Sequence, residues 1–115
     1  MSKILDNATS HFRTKISGEM QYITVPEWNA KIYFKSVITL KEQSKLIELA
    51  SGGKTVEALV ESLIVKARNE DGTRMFGMPD KVTLMNEVDP DVLIRIVGEI
   101  NTAMQDDTVE AIEKN

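Results

Sequence analysis

The sequence predicts an α+β fold in which a small antiparallel sheet precedes a group of helices. Three observations carry this. β-branched and aromatic residues cluster in two runs within the first forty residues, QYITV and KIYFKSVI. After Ile38 the apolar period changes from two to about 3.6 residues, the mark of amphipathic helices. Helix start and stop residues then recur at Thr39, Gly52-Gly53, Asp80 and Asp89-Pro90. Strands followed by helices place the helices on one face or end of the sheet. The expected architecture is a small antiparallel β-hairpin or three-stranded sheet at the N-terminal side followed by three to four α-helices.

Residues 1–10 are polar and aperiodic, and predict a flexible N-terminus. Phe12, Thr14 and Ile16 alternate with Arg13 and Lys15, a period of two that predicts a third strand. Ser17-Gly18-Glu19 reads as a turn. QYITV (21–25) is a strand, because branched and aromatic side chains fit a pleated surface. Pro26 ends it, since proline donates nothing to a ladder. Asn29-Ala30 sits in the following turn. KIYFKSVI (31–38) forms the next strand, with Ile32 and Phe34 on one face and Tyr33 and Lys35 on the other.

Thr39 and Glu42 have the spacing of a capping box, in which the hydroxyl accepts from a free N–H and the carboxylate reaches back. The helix they start runs from Leu40 to about Ala50 and stops at Ser51-Gly52-Gly53, where glycine takes a left-handed cap cheaply. Thr55 is placed to cap the next helix. Val56, Leu59, Val60, Leu63, Ile64 and Ala67 form one apolar stripe on it, and it ends near Asn69. Asp80 caps a short helical piece, KVTLMNE. Asp89 then caps a last helix with Pro90 at its first position and Asp91 near its positive end. Leu93, Ile96, Val97, Ile100, Ala103 and Met104 share its buried face. Gly98 inside this helix costs about 1 kcal/mol of propensity and predicts close packing at that point. The organisation is one α+β domain over residues 11–104, with an acidic tail over 105–115.

A chain of 115 residues can bury one core without staples. It has no cysteine, so no disulfide framework and no thiolate metal site. No apolar run approaches the roughly 18 residues of a membrane span, and the first fifteen residues lack the apolar core of a signal peptide. The expected location is the cytoplasm. Residues 99–115 hold five acidic side chains against Lys114, which accounts for the whole net charge of −4. A neutral body with an acidic end lacks the basic surface that nucleic-acid binding needs.

Catalytic groups are scarce. The single histidine, His11, has no positioned partner in the sequence, and one histidine does not make a metal site. No nucleophile elbow, phosphate loop, dinucleotide fingerprint or zinc-protease motif occurs. Gly52-Gly53-Lys54-Thr55 resembles the end of a phosphate loop, but Glu48 stands where that loop needs its first glycine. No catalytic, cofactor-binding or metal-binding residue is expected, and no enzyme activity.

The most loaded stretch is NEDGTRMFG (69–77). Its glycine falls at the fourth position of a calcium-loop spacing instead of the sixth, where Arg74 stands, and the twelfth position is Asp80 where a glutamate is needed. Asp-Gly is a turn dipeptide. The stretch is therefore expected to reverse the chain, with Arg74 offsetting the Glu70 and Asp71 carboxylates and Phe76 anchoring the return. Met75, Met78 and Met85 lie close together around a glycine-proline loop. Methionine fills irregular cores and also serves adaptable binding surfaces. Trp28, Met75, Phe76, Met78 and Met85 are the candidate partner-binding residues.

The order of these features resembles the tail assembly chaperones of long-tailed phages and prophages. VPEWNAKIYFKSV is similar to their strand–Pro-Glu-Trp–strand opening. NEDGTRMF looks like their acidic turn, carried here by Asp71, Gly72, Arg74 and Phe76. An aspartate-led helix (Asp80 to Leu84) and a last amphipathic helix (Val92 to Ile100-Asn101) follow in the same order. The resemblance spans about residues 22–101. Asn29 replaces the glycine that usually follows the tryptophan, although asparagine also tolerates a left-handed turn, and the first twenty residues match nothing in the family. The resemblance implies a non-enzymatic protein of the host cytoplasm that binds the tape measure protein and recruits tail tube subunits. It also implies absence from the mature virion and self-association into a homo-oligomer. No nucleic acid, membrane or cofactor is implied. The alternative is a structural tail-associated or tail completion protein that stays in the particle.

Overall fold

The computed structural model describes residues 2–113, with side-chain surroundings as far as Met104. Five helices and one hairpin follow one another as α1 (Lys3–Ile16), β1 (Gln21–Val25), β2 (Ala30–Phe34), α2 (Leu40–Ser51), α3 (Thr55–Lys66), α4 (Lys81–Asn86) and α5 (Pro90–Glu113). One-turn 3-10 helices at Pro26–Trp28 and Met78–Asp80 complete the list. The α+β order of a hairpin followed by helices is as the sequence predicts.

The start of the chain is not. Residues 12–16 belong to α1 and are not a strand. The alternation of Phe12, Thr14 and Ile16 conceals a helical stripe, Ile4, Ala8, Phe12 and Ile16, that recurs every fourth residue. Ser2 opens the helix by accepting from the Leu5 N–H. The sheet therefore has two strands.

β1 pairs antiparallel with β2, placing Ile23 opposite Ile32 and Val25 opposite Ala30. Val25, Ile32 and Phe34 point into the core and are buried. Tyr22 and Tyr33 pair on the other face, ring centres 5.4 Å apart. β2 ends at Phe34, four residues before the expected Ile38. Its free edge is met by Arg68, which exchanges two backbone hydrogen bonds with Tyr33 (2.7 and 3.0 Å). Arg68, the second residue past α3, thus pairs on the β2 edge, opposite the β1 edge that 12–16 would have taken in a three-stranded meander. This also explains why α3 ends at Lys66 and not near Asn69, since Arg68 must turn extended to reach the sheet.

The Thr39–Glu42 capping box is complete. Thr55 is the first helical residue of α3 and not its cap; Lys54 precedes it with no side-chain bond. Asp80 does not cap α4. Its carboxylate turns back to accept from Gly77 N–H at 2.8 Å, closing the 3-10 turn instead. Asp89 starts α5 as expected, accepting from Asp91 N–H at 2.9 Å.

α3 is the central helix, packed against α2, α4 and α5. Val60, Leu63, Ile64 and Ala67 of the α3 stripe are buried with Leu93, Ile96, Val97 and Ile100 of α5. Gly98 does not mark close packing: a Cβ there meets nothing within 4 Å. α5 runs on to Glu113, and the side chains of the expected acidic tail lie outside the described residues.

Candidate functional site

The hairpin turn fixes Trp28. Pro26–Trp28 coil into one 3-10 turn, and Asn29 leaves it in the left-handed region (φ 49°), a conformation that asparagine tolerates. Glu27 in this turn receives both Arg95 guanidinium nitrogens of α5, at 2.5 and 2.8 Å. That fork holds the Glu27 carboxyl down to about 2. It also ties the turn to α5, so the indole is set by backbone and ion pair together.

The acidic loop fixes Phe76. Asn69 and Thr73 close the turn through backbone bonds, and Gly72 takes φ 90°. Thr73 donates to Asp71 from its N–H (3.0 Å) and its hydroxyl (2.6 Å), which keeps the Asp71 carboxyl below its ordinary range. Arg74 does not offset these carboxylates as the sequence suggested. It reaches across to Glu42 of α2 at 3.1 Å. The loop is thereby bound to the capping box of α2, and Met75 N–H donates to Ala67 C=O as the chain returns.

The two fixtures meet at one surface cleft. Trp28, Phe76, Leu84 and Val88 line it, with Asp80 and Thr83 at its polar edge, in a volume of about 310 Å³. It has room for at least one large apolar side chain and is walled by three separate segments. Among the five candidate partner-binding residues, Trp28 and Phe76 are brought together here. Trp28, Phe76, Met75 and Met85 are all partly buried and pack on the core, and Met75 and Met85 do not line the cleft. Met78 stands apart at 51% exposed, lining a neighbouring groove beside α2 with Phe76. Sequence reasoning did not foresee Leu84 and Val88 as walls of the same cleft. Their spacing of four on and after α4 was the available signal.

This chain has the fold of a solved phage tail assembly chaperone. The structure of the bacteriophage HK97 tail assembly chaperone superposes with a TM-score of 0.60, over 84% of this chain and 91% of that chain, at 16% sequence identity. No family model and no curated protein matches the sequence. The likeness to the HK97 chaperone is one of backbone arrangement, and it agrees with the family that the order of hairpin, acidic turn and helices resembles.

No cluster of three or more histidine, cysteine, aspartate or glutamate side chains suited to a metal ion occurs among the described residues. The densest charged group, Glu57, Glu61, Lys45 and Lys81, is a structural clasp. Glu61 is 4% exposed, and burial alone would raise its carboxyl. The Lys45 (2.9 Å) and Lys81 (3.3 Å) ammonium groups outweigh that and leave it lowered. The clasp joins α2, α3 and α4. No helix among the described residues is long and apolar enough to cross a membrane.

Proposed function

We propose that the protein is a non-enzymatic tail assembly chaperone, binding the helical tape measure protein of its phage and helping recruit tail tube subunits around it. The observation that carries this reading is the fold shared with the HK97 tail assembly chaperone over most of both chains, joined to the motif order of the sequence. The cleft of Trp28, Phe76, Leu84 and Val88 suits the task physically. A preformed apolar pocket with a fixed indole is what anchors a partner's apolar side chain. Met78, exposed beside it, supplies an adaptable rim. The protein acts in the host cytoplasm, as a homo-oligomer, and leaves before the virion is complete.

Co-expression with the tape measure protein of the same phage tests the reading. Co-purification and loss of tails on deletion are expected, with the protein missing from the mass spectrum of purified particles. Stoichiometric presence in particles would replace this reading with that of a structural tail protein. Met78→Asp should weaken capture of the client while circular dichroism stays unchanged. Met75→Asp should unfold the domain, because Met75 packs on the core.

A further inference from the structure

A second groove has different chemistry. It lies between α2, α3 and α5, with a volume of about 630 Å³, and shares no lining residue with the Trp28 cleft. Leu46, Ile47, Leu59, Val97 and Met104 give it apolar walls. Ile47 is 58% exposed. Its charged lining residues are two lysines, Lys15 at the end of α1 and Lys66 at the end of α3, and among the described residues no carboxylate lines it.

Lys66 is the unusual member. Its ammonium donates to the Asn101 amide oxygen at 2.6 Å, and no carboxylate among the described residues pairs with it. A partly buried cation with only a neutral partner has forfeited hydration without a counter-charge in return. Burial pushes its pKa down from the ordinary lysine value. In a chain that is acidic overall, this groove is a basic exception.

We infer that the groove between α2, α3 and α5 receives an amphipathic helix of a partner protein, whose apolar face carries one carboxylate that seats on the Lys66 ammonium. Charge complementarity selects an acidic occupant. The walls select its form. α3 runs along the groove from Thr55 to Lys66, about 16 Å at 1.5 Å per residue, room for some three helical turns. An extended peptide would need an unpaired sheet edge to bind. Ser36, Val37 and Ile38, which also line the groove, lie past the end of β2 and belong to no sheet, and the α2, α3 and α5 walls bond their backbone groups within each helix. A helix needs no such edge, and its own apolar positions would cover Ile47 and Leu59. This inference rests on the proposed chaperone role, in that the client is helical, and it names a surface and a selectivity that the role does not require.

The test uses the full chain and two labelled 18-residue amphipathic peptides, identical except for Glu or Gln at the centre of the apolar face. The Glu peptide should bind more tightly by about tenfold or more, as expected for a charge-assisted bond formed out of water. Lys66→Met should erase the difference and Lys66→Arg should keep it. Amide shifts on titrating the wild-type protein should fall at Ser62, Lys66 and Asn101, a readout that needs no variant to fold. Equal binding of the two peptides, no binding of either, or shifts at Trp28 and Phe76 instead would overturn the inference. So would concentration-dependent self-association that Lys66→Met abolishes, since the groove would then be an interface between copies. Co-purification with the tape measure protein is scored separately. Its success with a failed peptide test removes the groove alone, and its failure removes the chaperone role.

Discussion

α1 and α3 are helices of similar length and opposite circumstance. α1 has 14 residues and buries none; α3 has 12 and buries five. Both carry an apolar stripe, so pattern does not separate them. What separates them is the surroundings: α3 lies among α2, α4 and α5, whereas Ile4 of α1 is 80% exposed and Leu5 50%. A stripe states which face of a helix gains from burial. Topology decides whether anything arrives to cover it.

The largest expected effect lies at the centre of α3. Leu63 is fully buried, and Leu63→Ala should cost about 2–5 kcal/mol, transfer plus cavity. Urea unfolding with an unchanged slope would measure it. A cost below about 1 kcal/mol would mean that the surroundings collapse into the space, and the contrast with α1 would weaken.

The α3–α5 seam comes next. Asn101→Leu would leave the Lys66 ammonium without its 2.6 Å acceptor. A stranded, partly buried donor costs about 1–3 kcal/mol, and a lower thermal midpoint should show it. Gly98→Ala acts on the same helix in the opposite sense. The added methyl meets nothing within 4 Å, so removing the helix-interior glycine should stabilise by about 0.5–1 kcal/mol. If client binding falls while stability rises, the open space at Gly98 serves contact with a partner.

These cases also show how far the sequence could be read. The hairpin, the α2 capping box, the stripes of α3 and α5 and the Asp-Gly turn were legible because each is local: one cap, one turn dipeptide, one period. The errors came where the deciding partner is distant in sequence. Proximity in sequence pairs Arg74 with Glu70 and Asp71, but its carboxylate is Glu42, 32 positions away. A glycine inside a helix predicts a packing site at Gly98, which only the facing surface can decide. α1 was missed because Phe12 and Ile16 satisfy a spacing of two and a spacing of four together, and Ile4 and Ala8 were needed to choose. The cleft was half legible: Trp28 and Phe76 stand out by type, whereas Leu84 and Val88 become walls only once α4 is docked.

A smaller effect should come from Glu27, and only in acid. Its carboxyl is held at about 2 against an ordinary 4.5. A depressed folded-state pKa contributes stability that is present above the unfolded value and is lost as pH falls toward the folded one. Wild type should therefore lose ground from about pH 4.5 down to 2, and Glu27→Gln should flatten that part of the curve. Because the Glu27–Arg95 pair lies in solvent, salt should shrink the difference. An acid slope indifferent to Glu27→Gln would mean that other carboxylates govern it.

The smallest effect is expected in α1, and it bears most directly on the contrast with α3. Changing Ile4 and Leu5 together to Ser removes two large side chains, as Leu63→Ala truncates one. Exposed positions away from caps and cores usually shift stability by no more than about 0.5 kcal/mol, and an isolated helix of this length is marginal in water in any case. The double variant should therefore unfold with wild type, losing at most some helical signal from α1 itself. Thermal unfolding followed at two protein concentrations would decide the matter. If the variant were destabilised by several kcal/mol, α1 would be covered in solution. If that loss appeared only at high concentration, the cover would come from another copy of the chain. The same apolar pattern would then be buried in both helices, in α3 by its own fold and in α1 by assembly.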